Sequence, residues 1–217
     1  IMMNFDDDID FGKVDETRFT VADKWILSRI DTVAGEVTEN LEKFELGIGL
    51  QKIYEFIWEE FCDWYIEMVK PRLYDREAPG RLEAMAVLNK VLTNAMKLLH
   101  PFMPFITEEI YSHLITDDES IMISSWPKCS GRVLYPAEER MMSFIMEAVR
   151  GIRNIRMEMN VPSNRKAKAI FVTQDKDIGE LIGKEQSTFG RLASVSEASV
   201  RPNKSGIPQD AVAIVVH

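Results

Sequence analysis

The chain has 217 residues, 46% of them apolar and 28% charged, with a formal net charge of −9. That length allows one or two domains, and the apolar share excludes wholesale disorder and any need for disulfide or metal staples. The acidic balance argues against non-specific binding of nucleic acid or anionic membrane by the whole chain, while leaving room for a local basic patch.

Cys62 and Cys129 are the two cysteines. With no secretory leader before them they read as reduced thiols of a cytoplasmic protein. No apolar run reaches the ~18 residues of a membrane span, so no membrane partner is expected. The start, Ile1-Met2-Met3-Asn4, lacks a basic n-region and reads as cut into rather than begun.

Residues 1–19 are expected to form an acidic connector, rich in Asp6, Asp7, Asp8, Asp10, Asp15 and Glu16. Thr20 with Asp23 three residues on predicts a helix start of the capping-box type. Ile26, Ile30, Val33, Val37 and Leu41 then recur at helical spacing. A second helix is predicted from about Leu46 to Val69 and should stop at Pro71. The loop 75–80 precedes a third helix over about Arg81–Leu99. His100-Pro101-Phe102-Met103-Pro104 breaks the pattern, with a short helix near Ile106–Ile115 and an extended stretch over Ser120–Trp126. A fifth helix fits about Ala137–Met159. These helices, over 20–160, describe a bundle.

After Pro162 the period changes. Ala167–Val172, Ala193–Val200 and Ala211–Val216 read as strands, and Asp177–Phe189 as helical. The predicted fold class is therefore mainly α, a helical bundle followed by a small α/β (β-α-β-β) unit over 161–217.

Catalytic signatures are absent. The sequence has no Gly-rich phosphate loop, no paired-cysteine or paired-histidine zinc motif, and no assignable Ser/His/Asp set among His100, His113 and His217. No catalytic residue, no cofactor and no metal are expected in this stretch.

Two segments stand out. Trp58, Phe61, Trp64 and Tyr65 place four aromatic rings in eight positions, followed by Lys70 and Arg72 at a helix end. The plain reading is a buried central helix. The functional reading is a surface for unstacked RNA bases and phosphates. From 150 to 168, Arg150, Arg153, Arg156, Arg165, Lys166 and Lys168 face the single acid Glu158. These cations are either a solvated face paired with neighbouring acids or a phosphate-contacting stripe. Cys62, beside Asp63 and without a nearby cation in sequence, reads as non-catalytic.

At these segments the chain resembles the C-terminal part of the valyl-tRNA synthetases. The resemblance rests on four blocks in family order: Ala22–Arg29, Phe61-Cys62-Asp63-Trp64-Tyr65 running to Lys70-Pro71, Leu99–Tyr111, and Arg153-Asn154-Ile155-Arg156 running to Asn160-Val161-Pro162. The first and third blocks are shared loosely with the isoleucyl relatives. The second and fourth point to the valyl enzymes.

The resemblance implies an anticodon-binding domain of a class I synthetase. Its partners would be the anticodon loop of valine tRNA and the rest of the synthetase chain. The parent enzyme would join valine to its tRNA with ATP and hydrolyse mischarged product at an editing site, because an apolar pocket rejects an isosteric hydroxyl poorly. The HIGH and KMSKS signatures and the editing insertion are not in this sequence. It therefore reads as a fragment that is inactive alone, with ATP bound elsewhere in the parent and a coiled-coil arm expected beyond the small α/β unit. By resemblance, Asp63, Ile66, Glu67 and Lys70 lie near the anticodon loop. Lys70 and Arg72 would meet phosphate, and Asp63 or Glu67 would accept from a base amino group. Arg153 and Arg156 are further candidates, for phosphate or for packing on the catalytic core. The alternatives are the same domain of an isoleucyl enzyme, or a helical protein–protein module docking through exposed aromatics.

Overall fold

The architecture comes from a computed structural model that describes residues 10–162, 164–208 and 211–216. The chain divides into two compact units, Ile1–Glu139 and Arg140–His217. Residues 1–9 of the expected connector lie outside the described residues. The rest of it forms two short 3₁₀ turns, Phe11–Lys13 and Glu16–Arg18, started by the Asp10 and Asp15 side chains.

In the first unit, α1 (Val21–Glu42) opens with the reciprocal cap that the sequence predicts. Asp23 N–H donates to Thr20 Oγ1 at 3.3 Å, and the Asp23 carboxylate accepts from Thr20 N–H at 2.9 Å. Trp25, Ile26, Ile30, Val33 and Val37 line the buried side of α1.

The second helix is longer than its sequence suggests and is not uniform. It runs unbroken as α2 (Leu46–Glu55), a π-helical stretch (Phe56–Ile66) and α3 (Glu67–Tyr74). The expected stop at Pro71 does not occur. Proline removes one N–H and costs about 3 kcal/mol inside a helix. Here the flanking Val69 and Leu73 are buried, and Arg72 is anchored to α1, so packing outweighs that cost. The π-helical stretch bonds residue i to i+5 and widens each turn, which draws side chains four and five apart onto one side. Phe56, Phe61 and Tyr65 accordingly stack in a column, with centroids 6.5 and 6.0 Å apart.

Gly80, at φ +79°, turns the chain into α4 (Arg81–Leu99). The left-handed backbone is open to glycine at no steric cost. The proline turn follows, and Pro104 starts α5 (Pro104–Tyr111). Ser120–Trp126 is not an extended strand. Ser120 accepts from Met122 N–H and starts a 3₁₀ turn at Ile121–Ile123, since a lone β-rich stretch without a partner edge gains nothing from extension.

The long helix α6 (Pro136–Glu158) falls from Arg140 onward in the second compact unit. An amphipathic stripe records that a face is buried but not against which neighbour. Within the second unit, Phe144 of this helix lies 6.2 Å from Phe171, which is 5.1 Å from Phe189. Strands β1 (Ala167–Val172) and β2 (Val195–Arg201) pair in parallel, with Ala169 opposite Ala198. A parallel pair needs a crossover, supplied by α7 (Lys176–Lys184) and α8 (Gln186–Leu192). The unit is thus β-α-α-β. The third strand expected at 211–216 is not formed. A methyl group at Gly151 would lie 2.2 Å from Ile214 Cδ1, so that segment packs over the glycine of α6 instead of extending the sheet.

Candidate nucleic-acid interface

The end of the second helix is fixed by a buried polar network. The Asp23 side chain is 0% exposed and the Arg72 side chain 16%. Arg72 Nη2 donates to Asp23 Oδ1 at 2.7 Å and Nη1 to Oδ2 at 2.9 Å. Tyr65 Oη donates to Oδ1 at 2.7 Å, and Thr20 adds its hydroxyl at 2.8 Å. Arg72 also donates to the Gly80 carbonyl at 3.3 Å. Every lone pair of a buried carboxylate is thereby used, which such a group requires. Burial, and then the Asp23 charge, push the Tyr65 hydroxyl well above its usual pKa. Burial alone lowers the Arg72 pKa, but the Asp23 hydrogen bonds and charge outweigh it and leave the guanidinium held more firmly in its charged form.

The planar fork of Arg72, expected from the resemblance to meet phosphate, is paired with Asp23 in this structure. It joins the start of α1, the end of the second helix and the turn into α4. That pairing holds the helix end in position.

Ile66, Glu67 and Lys70 lie within one turn at the start of α3, and Asp63 lies in the π-helical stretch before it. Asp63 is exposed, and Ile66, Glu67 and Lys70 are half-buried. Lys70 and Glu67 form an ion pair, each side chain 37% exposed. A pair that exposed is worth about 0–1 kcal/mol, so an incoming phosphate can compete for Lys70 at little cost. Of the four aromatic rings, Phe61, Trp64 and Tyr65 are core residues and Trp58 is exposed. Burial and then the Asp63 charge raise the Cys62 pKa, which keeps the thiol protonated and unreactive.

Arg153 and Arg156 are engaged within the second unit. Arg153 Nε donates to the Leu192 carbonyl at 2.7 Å. Arg156 Nη2 donates to the carbonyls of Pro162 at 3.0 Å and Arg165 at 2.7 Å. Both guanidinium groups tie the end of α6 to backbone carbonyls of the second unit. A further feature escaped the sequence reading. Leu46, Leu50, Tyr54 and Trp58 recur every four residues and are all exposed, with the Tyr54 and Trp58 rings 6.2 Å apart. The spacing was legible; that it faces away from the core was not. Among the described residues, no group of three or more His, Cys, Asp or Glu could hold a metal ion, and no helix is long and apolar enough to cross a membrane.

The family model described as the anticodon-binding domain of tRNA ligase matches residues 23–171, and the chain belongs to that family. Among its relatives, the valine–tRNA ligase of Clostridium perfringens is 45% identical over 216 residues, covering 100% of this chain and 24% of the relative. The valine–tRNA ligase of Carboxydothermus hydrogenoformans is 44% identical over 201 residues, 92% of this chain and 22% of the relative. That of Bacillus anthracis is 35% identical over 217 residues, 100% of this chain and 24% of the relative. The chain thus spans about a quarter of the length of the curated relatives it matches.

Proposed function

We propose that this chain is the anticodon-reading part of a valine–tRNA ligase. The observation that carries the reading is the anticodon-binding family match across 23–171, which includes the whole second helix. The parent enzyme would attach valine to its tRNA with ATP and clear mischarged product. Both chemistries, and the ATP site, would lie outside these 217 residues. The partners are then valine tRNA and the rest of the synthetase, in the cytoplasm. The relatives above are all named for valine, which does not favour the isoleucyl alternative. A general protein–protein module is likewise not favoured by a tRNA-ligase family match.

In this reading Ile66 offers an apolar surface to an unstacked loop base. Asp63 and Glu67 accept from an exocyclic amine, and Lys70 leaves Glu67 for a backbone phosphate. Good base contacts supply about 1–3 kcal/mol each, by analogy with DNA readout. Each phosphate contact adds roughly 0.7 to the salt slope on single-stranded RNA.

The test is binding of the valine tRNA anticodon stem-loop at low and moderate salt, beside the same stem-loop with its anticodon bases exchanged. Binding should weaken with salt and with the exchange, and I66A should erase most of the discrimination. Equal affinity for both stem-loops would sink the anticodon reading. Salt-independent affinity would instead support apolar protein docking.

A further inference from the structure

The first unit exposes an apolar row that neither its own core nor the helix-end reading uses. Leu46, Leu50 and Tyr54 follow one another at four-residue spacing along α2, and Trp58 continues the row into the π-helical stretch. Their exposures are 53, 37, 59 and 53%. Single exposed apolar residues are ordinary on a surface, whereas four in one row form a strip that marks an interaction site. Another side of the same helix is already covered, with Ile53 and Phe56 only 0 and 1% exposed. The helix thus carries two apolar sides, and the first unit buries one of them.

Side chains four apart form the ridge along which helices pack. The shape of the row therefore fits the groove of a second helix, crossed at about −50° where both use such ridges. Tyr54 and Trp58, with ring centroids 6.2 Å apart, put the bulk of the row at one end. Residues of these types are the usual anchors of protein interfaces. Charge beside the row decides among occupants. Residues 42–63 hold six acids and two lysines. Both lysines are paired with α1, Lys43 with Glu39 and Lys52 with Glu36. Glu55 and Glu59 are exposed. The Glu55 carboxylate accepts from Gln51 Nε2 at 2.7 Å, a neutral donor that leaves its charge in place. An acidic border repels phosphate, which disfavours RNA. It also repels its own copy, which disfavours a dimer packed row to row. The complementary occupant is a helix with its own apolar row and Lys or Arg beside it.

We propose that the row is a docking seam within the parent ligase, where a basic amphipathic helix from outside these 217 residues lies along Leu46, Leu50, Tyr54 and Trp58. The proposal rests on the ligase reading. The chain spans about a quarter of the length of its curated relatives, so the greater part of such a protein is available to supply the helix.

The test compares this chain with a full-length valine–tRNA ligase that contains it. Cysteine is placed beside the row as G47C and within it as L50C. A side chain at Gly47 meets nothing within 4 Å, and Leu50 is already exposed, so both variants should fold. Far-UV circular dichroism checks this. Each protein is labelled with a maleimide in the native state, and mass spectrometry of the digest reads each site separately. In the isolated chain both sites should react as fast as the exposed native Cys129. In the full-length enzyme they should react at least about tenfold more slowly, as for a site open less than a tenth of the time. Adding E55K/E59K to the full-length enzyme should restore most of the lost labelling, because a basic helix would then meet like charge. Equal rates in the two proteins overturn the docking. Slow labelling that survives E55K/E59K overturns the basic partner. Slow labelling that needs added valine tRNA makes the row an RNA surface, and slow labelling that grows with the concentration of the isolated chain makes it a contact between copies; either result overturns the proposal. The same full-length preparation is assayed for charging of valine tRNA. Equal labelling rates in an enzyme that charges valine remove the docking alone. A full-length protein that does not charge valine removes the ligase reading and the proposal with it.

Discussion

Replacing Arg72 by alanine separates a structural guanidinium from an RNA ligand. The Arg72 fork gives the buried Asp23 carboxylate two hydrogen bonds, at 2.7 and 2.9 Å, and the Gly80 carbonyl a third at 3.3 Å. In R72A, Asp23 keeps the Tyr65 and Thr20 donors but loses its counter-charge while remaining 0% exposed. Removing one partner of a buried pair costs about 3–5 kcal/mol. Against a typical total of about 5–15 kcal/mol this is a large share. With a urea m-value of about 2 kcal/mol/M, the midpoint should fall by roughly 1.5–2.5 M. The double variant D23N/R72A should cost less than the sum of its parts, because each single change strands the other group. At temperatures where R72A is folded, its tRNA salt slope should match the wild type. The reasoning fails if R72A unfolds within about 1 kcal/mol of wild type and its salt slope drops by one phosphate contact. Arg72 would then face RNA.

Two further tests probe the same junction. The folded Tyr65 hydroxyl is held above its ordinary value of 10.0, so above that pH the unfolded chain sheds a proton that the folded chain retains. This contribution is fully present below pH about 10 and is lost as pH rises, at up to about 1.4 kcal/mol per pH unit. Y65F should show a shallower alkaline decline in urea-derived stability, and parallel curves would reject the assignment. At neutral pH it should cost about 1–3 kcal/mol through the lost donor to a charged acceptor. G80A places a side chain at φ +79°, while its methyl would meet Arg72 Nη1 at an ordinary 3.5 Å. The penalty is therefore one of backbone alone, about 1–2 kcal/mol, read as a lower urea midpoint with unchanged far-UV circular dichroism. A loss beyond about 3 kcal/mol would mean that the Arg72 contact had broken as well.

The helix end gains its geometry from residues that do not touch the proposed ligand. Asp23, Tyr65 and Arg72 lock the last turns of the second helix to the start of α1. Ile66 and Lys70 ride between those two anchor points, on backbone already fixed before RNA arrives. Such pre-organisation lowers the ordering cost of binding. The π-helical stretch contributes in the same way, since it ends at Ile66 and sets the angular offset between the buried column and the outward residues Asp63 and Glu67.

Features that depend on near neighbours are legible in the chain alone. The Thr20–Asp23 cap was legible because both partners lie within one turn. The span of α4 was legible because apolar periodicity and the preceding Pro79-Gly80 mark it locally. The strands β1 and β2 stood out by their β-branched and apolar runs, but the third strand at 211–216 did not form, since such a run names no partner edge. Tertiary structure alone decided the fate of the charges. Lys70 and Arg72 are two residues apart and look alike as text, yet one is a half-exposed cation and the other the counter-ion of a carboxylate 49 residues away. Arg153 likewise finds its acceptor at Leu192, 39 residues on. Tertiary structure also carried the helix past Pro71. Helical periodicity is written in contacts of three and four residues, whereas a charge takes whichever partner the folded chain brings within hydrogen-bonding reach, and no local pattern encodes that distance.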